Sequence, residues 1–288
     1  MKIDIEKIRR EKPLAELLKF SIINLDKPSG PTSFSVSHYV KNLLGVNKTS
    51  HFGTLDPQVS GVLPIGISRA CRLNDYFIAK DKTYVGIMRL HKEIKKEDLE
   101  KAISKFIGVI KQLPPVKSRV KRAIREREIK TFKILDMDGK DVLFETQVQA
   151  GTYIRKLCDD IGHEIGGAHM LELRRIQASI FNEKDSVNLY QLEEAFQDFK
   201  SGNDLELRKI LIPAEIISTL YPVITIKKDV LKKCLAGSPI FQSFLSQNIQ
   251  EGLKKGDKVM AFCEGRFVGC YNFLGLDDAV AKPEFVFN

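Results

Sequence analysis

A short motif in the first quarter of the chain holds one carboxylate in a constrained loop. Residues 51–57 read HFGTLDP, and residues 60–64 follow closely with SGVLP. Gly53 permits a close backbone approach before the acid, and Pro57 biases Asp56 toward an extended backbone because its ring restricts the preceding residue. An Asp-Pro pair alone is more often an ordinary turn or helix start. Asp56 is therefore a candidate catalytic residue that needs corroboration from the rest of the sequence.

The overall charge favours a polyanionic partner. The 288 residues include 46 Lys and Arg against 37 Asp and Glu, which gives a net charge of +9. Nucleic acid is the first candidate partner for such a balance. No apolar run approaches the roughly 18 residues that a membrane span needs, and the N-terminal residues lack the apolar core of a secretory signal. We expect a cytoplasmic protein without a membrane contact.

The cysteine and histidine patterns predict no metal site. Five cysteines form an odd set without a C-x-x-C pair, so neither a disulfide framework nor a zinc knuckle is indicated. His163 and His169 are six residues apart, whereas a helical zinc-protease motif needs a spacing of four. The cysteines are expected to be reduced and mostly buried.

Hydrophobic periodicity predicts alternating strands and helices through the first two thirds of the chain. A strand from residue 21 runs into a Pro and Gly turn, and Thr32 or Ser33 is placed to cap a helix over residues 35–44. Further strands are predicted over residues 82–90, 142–150 and 168–175, and further helices over residues 97–107 and 151–165. Arg174 and Arg175 are adjacent in a strand, so they point to opposite sides and one can face inward.

The C-terminal part of the sequence has a different character. Residues 198–204 are polar and contain a glycine, and after Pro213 the chain changes to short strands with turns. Residues 256–271 have the pattern of a hairpin. A small β domain is therefore predicted after a boundary between residues 200 and 222.

A basic segment follows the second predicted helix. Residues 117–130 contain seven Lys and Arg against two Glu. Its odd positions share one face of a strand: Lys117, Arg119, Lys121, Arg125 and Arg127. That face suits a phosphate backbone, and a solvated edge strand that resists aggregation is the alternative.

Four motifs together resemble one family. They are DKPSG at residues 26–30, HFGTLDP at 51–57, KTY at 82–84 and LRR at 173–175. From about residue 23 to residue 176 the chain resembles the TruB-like RNA pseudouridine synthases. The segments LPPVKSRVKR (113–122), YVGIMRLH (84–91) and AHMLELRR (168–175) resemble the dyskerin-type branch, which works with H/ACA guide RNA. The absence of long charged tails favours an archaeal version.

The resemblance implies an α+β fold. The expected catalytic domain is built on a mixed, largely antiparallel sheet, and a small β-barrel PUA domain follows it. The implied bounds are 21–212 for the catalytic domain and 213–288 for the PUA RNA-binding domain. Residues 1–20 form an N-terminal extension that is expected to pack on the PUA domain.

The resemblance also implies a chemistry that needs no cofactor. The family breaks the bond between uracil N1 and ribose C1′ and rejoins the base through C5. Asp56 is implied to act, either by attacking C1′ or by removing a sugar proton, and both alternatives stay open. Arg174 is implied to pair with Asp56, Tyr84 to stack on the flipped base, and His51 to position the nucleotide. Tyr153 is implied to lie near the pocket.

The implied partners are an H/ACA guide RNA, a substrate rRNA and in some cases tRNA. Three small accessory proteins accompany them in the family: a Nop-type zinc-ribbon-like protein, a Gar-type protein and a kink-turn-binding ribosomal-like protein. A standalone synthase acting on the tRNA T-loop is the second hypothesis. A catalytically silent RNA scaffold is the third.

Overall fold

A mixed sheet of ten strands organises the first two thirds of the described residues. The computed structural model describes residues 3–113, 123–249, 252–275 and 277–288. The strands are β1 (Phe20–Lys27), β2 (Thr49–His51), β3 (Ser60–Ser68), β4 (Lys82–Leu90), β5 (Gly108–Gln112), β6 (Arg125–Asp138), β7 (Asp141–Val148), β8 (Ala168–Ala178), β9 (Phe181–Asn182) and β10 (Ile212–Pro213). The main order is β10-β1-β3-β8-β4-β7-β6-β5, with β2 beside β3 and β9 beside β8. Within the described part of this sheet, only β3 and β8 pair in parallel.

A smaller sheet follows in the C-terminal part. It consists of β11 (Val223–Thr225), β12 (Ile240–Phe241), β13 (Lys258–Cys263), β14 (Arg266–Phe273) and β15 (Ala279–Val286), in the order β11-β13-β14-β15-β12. β13 and β14 form the predicted hairpin around a tight turn at Glu264 and Gly265, both of which have a positive φ. The α+β class, with a largely antiparallel mixed sheet and a small β unit, is confirmed.

Helices cover the sheets. They are α1 (Ile5–Glu11), α2 (Leu14–Leu17), α3 (Ser33–Leu44), α4 (Asn74–Ile78), α5 (Lys96–Ser104), α6 (Ile154–Ile165), α7 (Leu189–Lys200), α8 (Leu205–Ile210) and α9 (Leu231–Leu235). Short 3-10 turns lie at Arg69–Leu73, Glu183–Asp185, Ala214–Thr219, Lys228–Val230 and Gln242–Phe244. Over the ranges that the structure describes, no helix is both long and apolar enough to cross a membrane.

β1 is buried on both faces and so separates two hydrophobic cores. Its alternate residues Ile23 and Leu25 belong to the core beneath α3 and α7. Phe20 and Ile22 point the other way, into a second core. A strand covered on both faces needs a nearly continuous apolar sequence, and FSIINL in β1 meets that need.

The second core joins the larger sheet to the smaller one. Phe20 stacks on Phe267 of β14 with ring centroids 5.1 Å apart, and Phe262 of β13 belongs to the same cluster. The N-terminal α1 packs against this cluster through Ile5 and Ile8. The two sheets and the N-terminal helix therefore share buried apolar surface.

The predicted helices agree closely with the structure at their capped ends. The hydroxyl of Thr32 caps α3 by accepting a hydrogen bond from Ser35 N at 3.0 Å. Gly45 and Gly166 end α3 and α6 in the left-handed conformation that glycine adopts easily. Ser33, the other predicted cap, lies inside the helix instead. The proposed domain limits at residues 20 and 212 stay predictions.

Candidate active site

The loop between β2 and β3 presents Asp56 to solvent. The side chains of Leu55 and Val59 are buried in the core beneath α3, and they anchor the loop on both sides of the acid. Phe52 is buried at the start of the loop and stacks on Phe77 with ring centroids 5.2 Å apart. The Asp56 side chain is 54% exposed. Alternation of buried anchors with an exposed acid therefore directs the carboxylate outward.

Ser33 fixes the backbone next to Asp56. Its hydroxyl donates to the carbonyl of Leu55 at 2.9 Å and accepts from the Leu55 N–H at 2.8 Å. Because Ser33 lies in the first turn of α3, these two hydrogen bonds tie the loop to a rigid helix. Both are buried, so an unmade partner would be costly.

Lys27 holds the part of the loop that follows Asp56. Its ammonium group donates to the carbonyls of Pro57 at 3.0 Å and Val59 at 2.9 Å, and the side chain is fully buried. Burial lowers the pKa of Lys27, whereas the negative charge of Asp56 acts in the opposite direction. Lys27 is thus a structural cation that also contributes positive potential beneath the acid.

Arg175 binds the backbone on both sides of Asp56, at Gly53 and at Val62, from the protein interior. Its Nε donates to the carbonyl of Val62 at 2.7 Å and its Nη2 to the carbonyl of Gly53 at 3.0 Å. A hydrogen bond with the Tyr84 side chain partly offsets the burial that lowers the pKa of Arg175. Gly61 allows the close approach, since a Cβ there would lie 2.2 Å from the carbonyl oxygen of Arg175.

Arg155 is the ionic partner of Asp56. Its Nη2 lies 2.7 Å from Asp56 Oδ2, and both side chains are about half exposed, at 53% and 54%. Arg155 stands in the first turn of α6. An exposed pair contributes only about 0–1 kcal/mol to folding. Its main effect is to orient the carboxylate, because a charge-assisted hydrogen bond restricts the side chain.

The predicted pairing of Arg174 with Asp56 is wrong. The Arg174 guanidinium binds Asp26 through two hydrogen bonds of 2.9 and 3.0 Å, and its Nε donates to Glu183 at 2.9 Å. These two acids hold Arg174 between the end of β1 and the 3-10 turn at Glu183–Asp185. Arg155 makes the contact with Asp56 instead.

Strand alternation explains the error. Arg174 and Arg175 are neighbours in β8, so one side chain faces the protein interior and the other the Asp26 side. The sequence predicts that one arginine is buried, but it does not say which. Arg175 lies opposite Tyr84 in the β4–β8 register, and Arg174 opposite Val85. The register between β4 and β8 is therefore needed to assign the inward-facing position to Arg175.

Tyr84, His51 and Tyr153 lie on elements around the loop. Tyr84 in β4 is 8% exposed. Its side chain interacts with Arg175, which also binds the loop backbone. His51 ends β2, directly before the loop. Burial lowers the pKa of His51, and the charge of Arg175 acts in the same direction, so the neutral imidazole is favoured. The backbone of Tyr153 begins α6 and exchanges two hydrogen bonds with the Gln112 side chain, at 3.0 and 3.2 Å.

The predicted basic face is only partly within the described residues. Lys117, Arg119 and Lys121 lie outside them. Arg125 and Arg127 lie in β6, on the same side as buried Ile129, and both are partly buried. β6 pairs with β5 over residues 125–129 and with β7 over residues 129–138, so Arg125 and Arg127 lie in a stretch with a strand partner on one side, and the edge-strand alternative stays open. Phosphate binding by this face stays a prediction.

Four residues around the loop have no site role in the sequence analysis. They are Ser33, which is considered there only as a helix cap, Lys82, Arg155 and Arg175. Placement of Arg155 within the first turn after Tyr153 was a usable signal, because such a residue points back toward the helix start. No local signal marks Lys82 as buried.

Comparison with known proteins identifies the class. Residues 41–154 match the TruB family pseudouridylate synthase N-terminal domain, and residues 155–218 match the tRNA pseudouridylate synthase B C-terminal domain. An aimed carboxylate on a mixed sheet and these two matches define an RNA-modifying isomerase. The chain belongs to the TruB family of pseudouridine synthases.

Two archaeal proteins are among the curated relatives that the chain resembles. The chain is 42% identical over 250 residues to a probable tRNA pseudouridine synthase B of Nanoarchaeum equitans, covering 86% of this chain and 71% of that protein. It is 40% identical over 252 residues to the protein of the same name from Methanocaldococcus jannaschii, covering 87% and 75%.

Solved structures extend the similarity over nearly the whole chain. A Cbf5-Nop10-Gar1 complex matches with a TM-score of 0.90 and 33% identity, over 97% of this chain and 88% of the matched one. An H/ACA RNP bound to a substrate RNA containing 2′-deoxyuridine matches with a TM-score of 0.89 and 31% identity, over 97% and 89%. The resemblance to the dyskerin-type branch is confirmed.

Replacing Ser33 tests whether the α3 contact positions Asp56. Ser33→Ala leaves the buried Leu55 N–H without its partner, at a cost of about 1–3 kcal/mol, and frees the loop next to the acid. Because small displacements of a reacting group are costly, we expect single-turnover pseudouridine formation to slow by about 10- to 100-fold. The matched control is Ser35→Ala, since Ser35 is exposed and its hydroxyl bonds, among the described residues, to Thr32 alone. Equal rates for the two variants would contradict the assignment.

Lys82 predicts a pH dependence of stability. Burial, assisted by the charge of Arg175 and opposed by Asp81, lowers the pKa of Lys82 from 10.5 to about 8. Between these values the unfolded chain binds one more proton than the folded chain, so the free energy of unfolding rises with pH. From about pH 7 to about pH 10, wild type should gain roughly 2 kcal/mol relative to Lys82→Met.

Urea unfolding of both proteins at each pH measures this difference. Subtracting Lys82→Met removes the contributions of the tyrosines and cysteines that titrate in the same range. Parallel stability curves for the two proteins would show that Lys82 stays protonated across the interval.

Proposed function

We propose that this chain converts uridine to pseudouridine in RNA with Asp56 as the catalytic carboxylate. The observation that carries the assignment is the fixed loop, in which Ser33, Lys27 and Arg175 hold the backbone around one exposed acid. Asp56 acts either by attacking ribose C1′ or by removing a sugar proton. Both roles need a carboxylate that points in a defined direction. The 2.7 Å hydrogen bond from Arg155 supplies that orientation and does not distinguish between the two roles.

The target uridine has to leave its stack to reach Asp56. Unstacking costs a few kcal/mol, which contacts to the base and to the backbone offset. We assign the ring of Tyr84 to stacking on the base, because its hydroxyl is already engaged with Arg175. His51 and Tyr153 are assigned to contacts with the nucleotide. A mostly neutral His51 suits stacking or hydrogen bonding better than ion pairing with phosphate.

The chain is further proposed to be the catalytic subunit of an H/ACA guide ribonucleoprotein acting on rRNA. Support comes from the TM-scores of 0.89 to a solved H/ACA RNP with a substrate RNA and of 0.90 to a solved Cbf5-Nop10-Gar1 complex. The proposed partners are a guide RNA, Nop-type and Gar-type proteins and a kink-turn-binding protein. The smaller sheet is assigned as a PUA domain that binds the guide. Five basic residues are assigned as phosphate contacts: Lys117, Arg119, Lys121, Arg125 and Arg127.

A standalone tRNA synthase is the second candidate. The two archaeal relatives carry the name probable tRNA pseudouridine synthase B, and the C-terminal family match is described as a tRNA pseudouridylate synthase B C-terminal domain. Under this alternative the same Asp56 chemistry acts on a tRNA T-loop without guide or partners.

Substitutions at the two arginines separate catalysis from structure. Arg155→Ala removes the hydrogen bond that orients the Asp56 carboxylate, so kcat should fall about 10- to 100-fold, whereas the loss of an exposed pair worth about 0–1 kcal/mol should change stability little. Arg174→Ala frees Asp26 and Glu183, and should lower Tm more than it lowers kcat. Asp56→Asn should abolish pseudouridine formation but leave RNA binding intact, as measured by filter binding.

Each of these variants has an outcome that contradicts the assignment. If Arg174→Ala were as inactive as Arg155→Ala and had an unchanged Tm, Arg174 rather than Arg155 would be the residue that orients Asp56. Turnover by Asp56→Asn at the wild-type rate would show that another residue is catalytic. Wild-type protein that binds RNA but forms no pseudouridine under any reconstitution would indicate a silent scaffold.

Reconstitution with and without a guide decides between the two candidate functions. We expect pseudouridine at the guide-specified rRNA position only when an H/ACA guide RNA and the small partner proteins are present. Chemical mapping of pseudouridine in the product is the measurement. Efficient unaided conversion of a tRNA T-loop, with no gain from the guide, would favour the standalone enzyme.

A further inference from the structure

One aromatic ring lies exposed beside the Asp56 loop. The Phe34 side chain is 72% exposed and belongs to the first turn of α3. It directly follows Ser33, whose hydroxyl binds the backbone of Leu55 next to the acid. The backbone of Phe34 is therefore held by the same contact that fixes the loop. Single exposed apolar side chains are ordinary on protein surfaces, so the surroundings of Phe34 decide whether it has a role.

The ring of Phe34 has an aromatic neighbour on the same helix. His38 lies one turn further along α3 and is also exposed. The two rings are nearly parallel, with an interplanar angle of 18° and centroids 6.0 Å apart. Together they form a small exposed aromatic surface, which we call the Phe34–His38 surface. Exposed aromatic surfaces of this kind are platforms on which nucleobases stack.

The Phe34–His38 surface lies on the side of α3 that faces β2. The hydroxyl of Ser37 donates to Oγ1 of Thr49 at 3.0 Å, and this contact marks that side of the helix. A helix of 3.6 residues per turn places Phe34 about 60° around the axis from Ser37, further toward solvent. Because β2 runs directly into the Asp56 loop, Phe34 is on the loop side of α3.

The other side of α3 faces α7 and meets negative charge. The hydroxyl of Tyr39 donates to Glu193 of α7 at 3.0 Å, and Glu194 follows in the same helix. In contrast, the chain from residue 27 to residue 55, which includes α3 and β2, contains no Asp or Glu. The same stretch carries the exposed Lys48. It therefore presents no like charge to an RNA strand that approaches the loop.

We propose that Phe34 stacks on a base that flanks the target uridine and so positions the RNA strand at Asp56. Phe34 is thereby added to the proposed function, on which this assignment rests, as a substrate-positioning residue. Extrusion of the uridine leaves the neighbouring base without a stacking partner on one face. The ring of Phe34 supplies a new partner, and the ring of His38 supports it from within the same helix.

Stacking on Phe34 predicts a preference among the flanking bases. Every base has a face that can stack, but the larger ring system of a purine covers more of the aromatic surface. A purine beside the target uridine should therefore bind more tightly than a pyrimidine at the same position. This preference should disappear in a variant that lacks the Phe34 ring.

Tryptophan fluorescence tests the contact directly. The chain contains no tryptophan, so Phe34→Trp introduces one fluorophore at an exposed position and should fold as the wild type does. The probes are a substrate RNA strand annealed to an H/ACA guide RNA and a tRNA T-loop hairpin, each added first without partner proteins. We expect a saturable loss of indole emission, because an indole that stacks on a base is quenched.

A second exposed aromatic residue provides the matched control. Tyr190 is 79% exposed in the first turn of α7, and Tyr190→Trp should keep its emission when the same RNA binds. Equal quenching of both variants would overturn the proposal, as would no quenching of Phe34→Trp by either RNA with or without the partner proteins. Emission that responds to the partner proteins but not to RNA would also overturn it, in favour of a protein contact.

Kinetics separate positioning of the RNA from a structural role. Phe34→Ala should raise KM about tenfold, whereas the single-turnover rate at saturating RNA and the Tm stay unchanged. Phe34→Tyr retains an aromatic face and should restore the wild-type KM. The increase in Phe34→Ala should be larger for adenosine than for cytidine beside the target uridine. An unchanged KM in Phe34→Ala, or a slower rate at saturation with an unchanged KM, would contradict the assignment.

Failure of the stacking contact is distinguishable from failure of the proposed function. If the wild type forms pseudouridine and RNA does not quench Phe34→Trp, stacking is refuted and the function stands. If RNA quenches Phe34→Trp but the wild type forms no pseudouridine under any reconstitution, the function is refuted and an RNA contact at Phe34 stands.

Discussion

The geometry of the candidate active site depends on the hydrogen bonds of one buried guanidinium, that of Arg175. It is fully enclosed, and in the described structure no carboxylate pairs with it. An isolated buried charge is expensive, so its cost has to be offset by well-placed acceptors. The carbonyls of Gly53 and Val62 and the Tyr84 side chain serve that purpose. The charge thereby fixes two ends of a loop and one aromatic side chain at the same time.

The charge of Arg175 also sets the electrostatics of its surroundings. It lowers the pKa of Lys27, of Lys82 and of His51, in each case in the same direction as burial. Arg175, Lys27 and Lys82 form a positive interior behind an outward-facing acid, and His51 beside them is favoured as the neutral imidazole. Arg155 adds a positive charge on the solvent side. Asp56 is thus oriented between two cationic regions, one buried and rigid and one exposed, and only the exposed one can move aside for a substrate.

Local sequence signals predicted the elements well because their causes are local. Capping at Thr32 and the glycines at 45 and 166 depend on neighbouring residues only, and the structure agrees with them. Asp56 was found because glycine and proline constrain its own backbone. The partner of Asp56 was missed because it is set by strand order and register, which bring residues 56 and 155 together across 99 positions. No periodicity in one chain encodes which of two adjacent arginines turns inward.

The Asp56 loop is built on both hydrophobic cores, and this links it to the smaller sheet. Leu55 and Val59 lie in the core beneath α3, whereas Phe52 lies in the core that Phe262 and Phe267 of the smaller sheet complete. Gly53, which Arg175 binds, separates these two anchors. A shift of the smaller sheet against the larger one would therefore act on Phe52 first and on the position of Asp56 through the intervening residues. Since interiors are close-packed, such a shift is transmitted rather than absorbed. The unit assigned to guide-RNA binding and the loop assigned to chemistry consequently share one continuous packed interior.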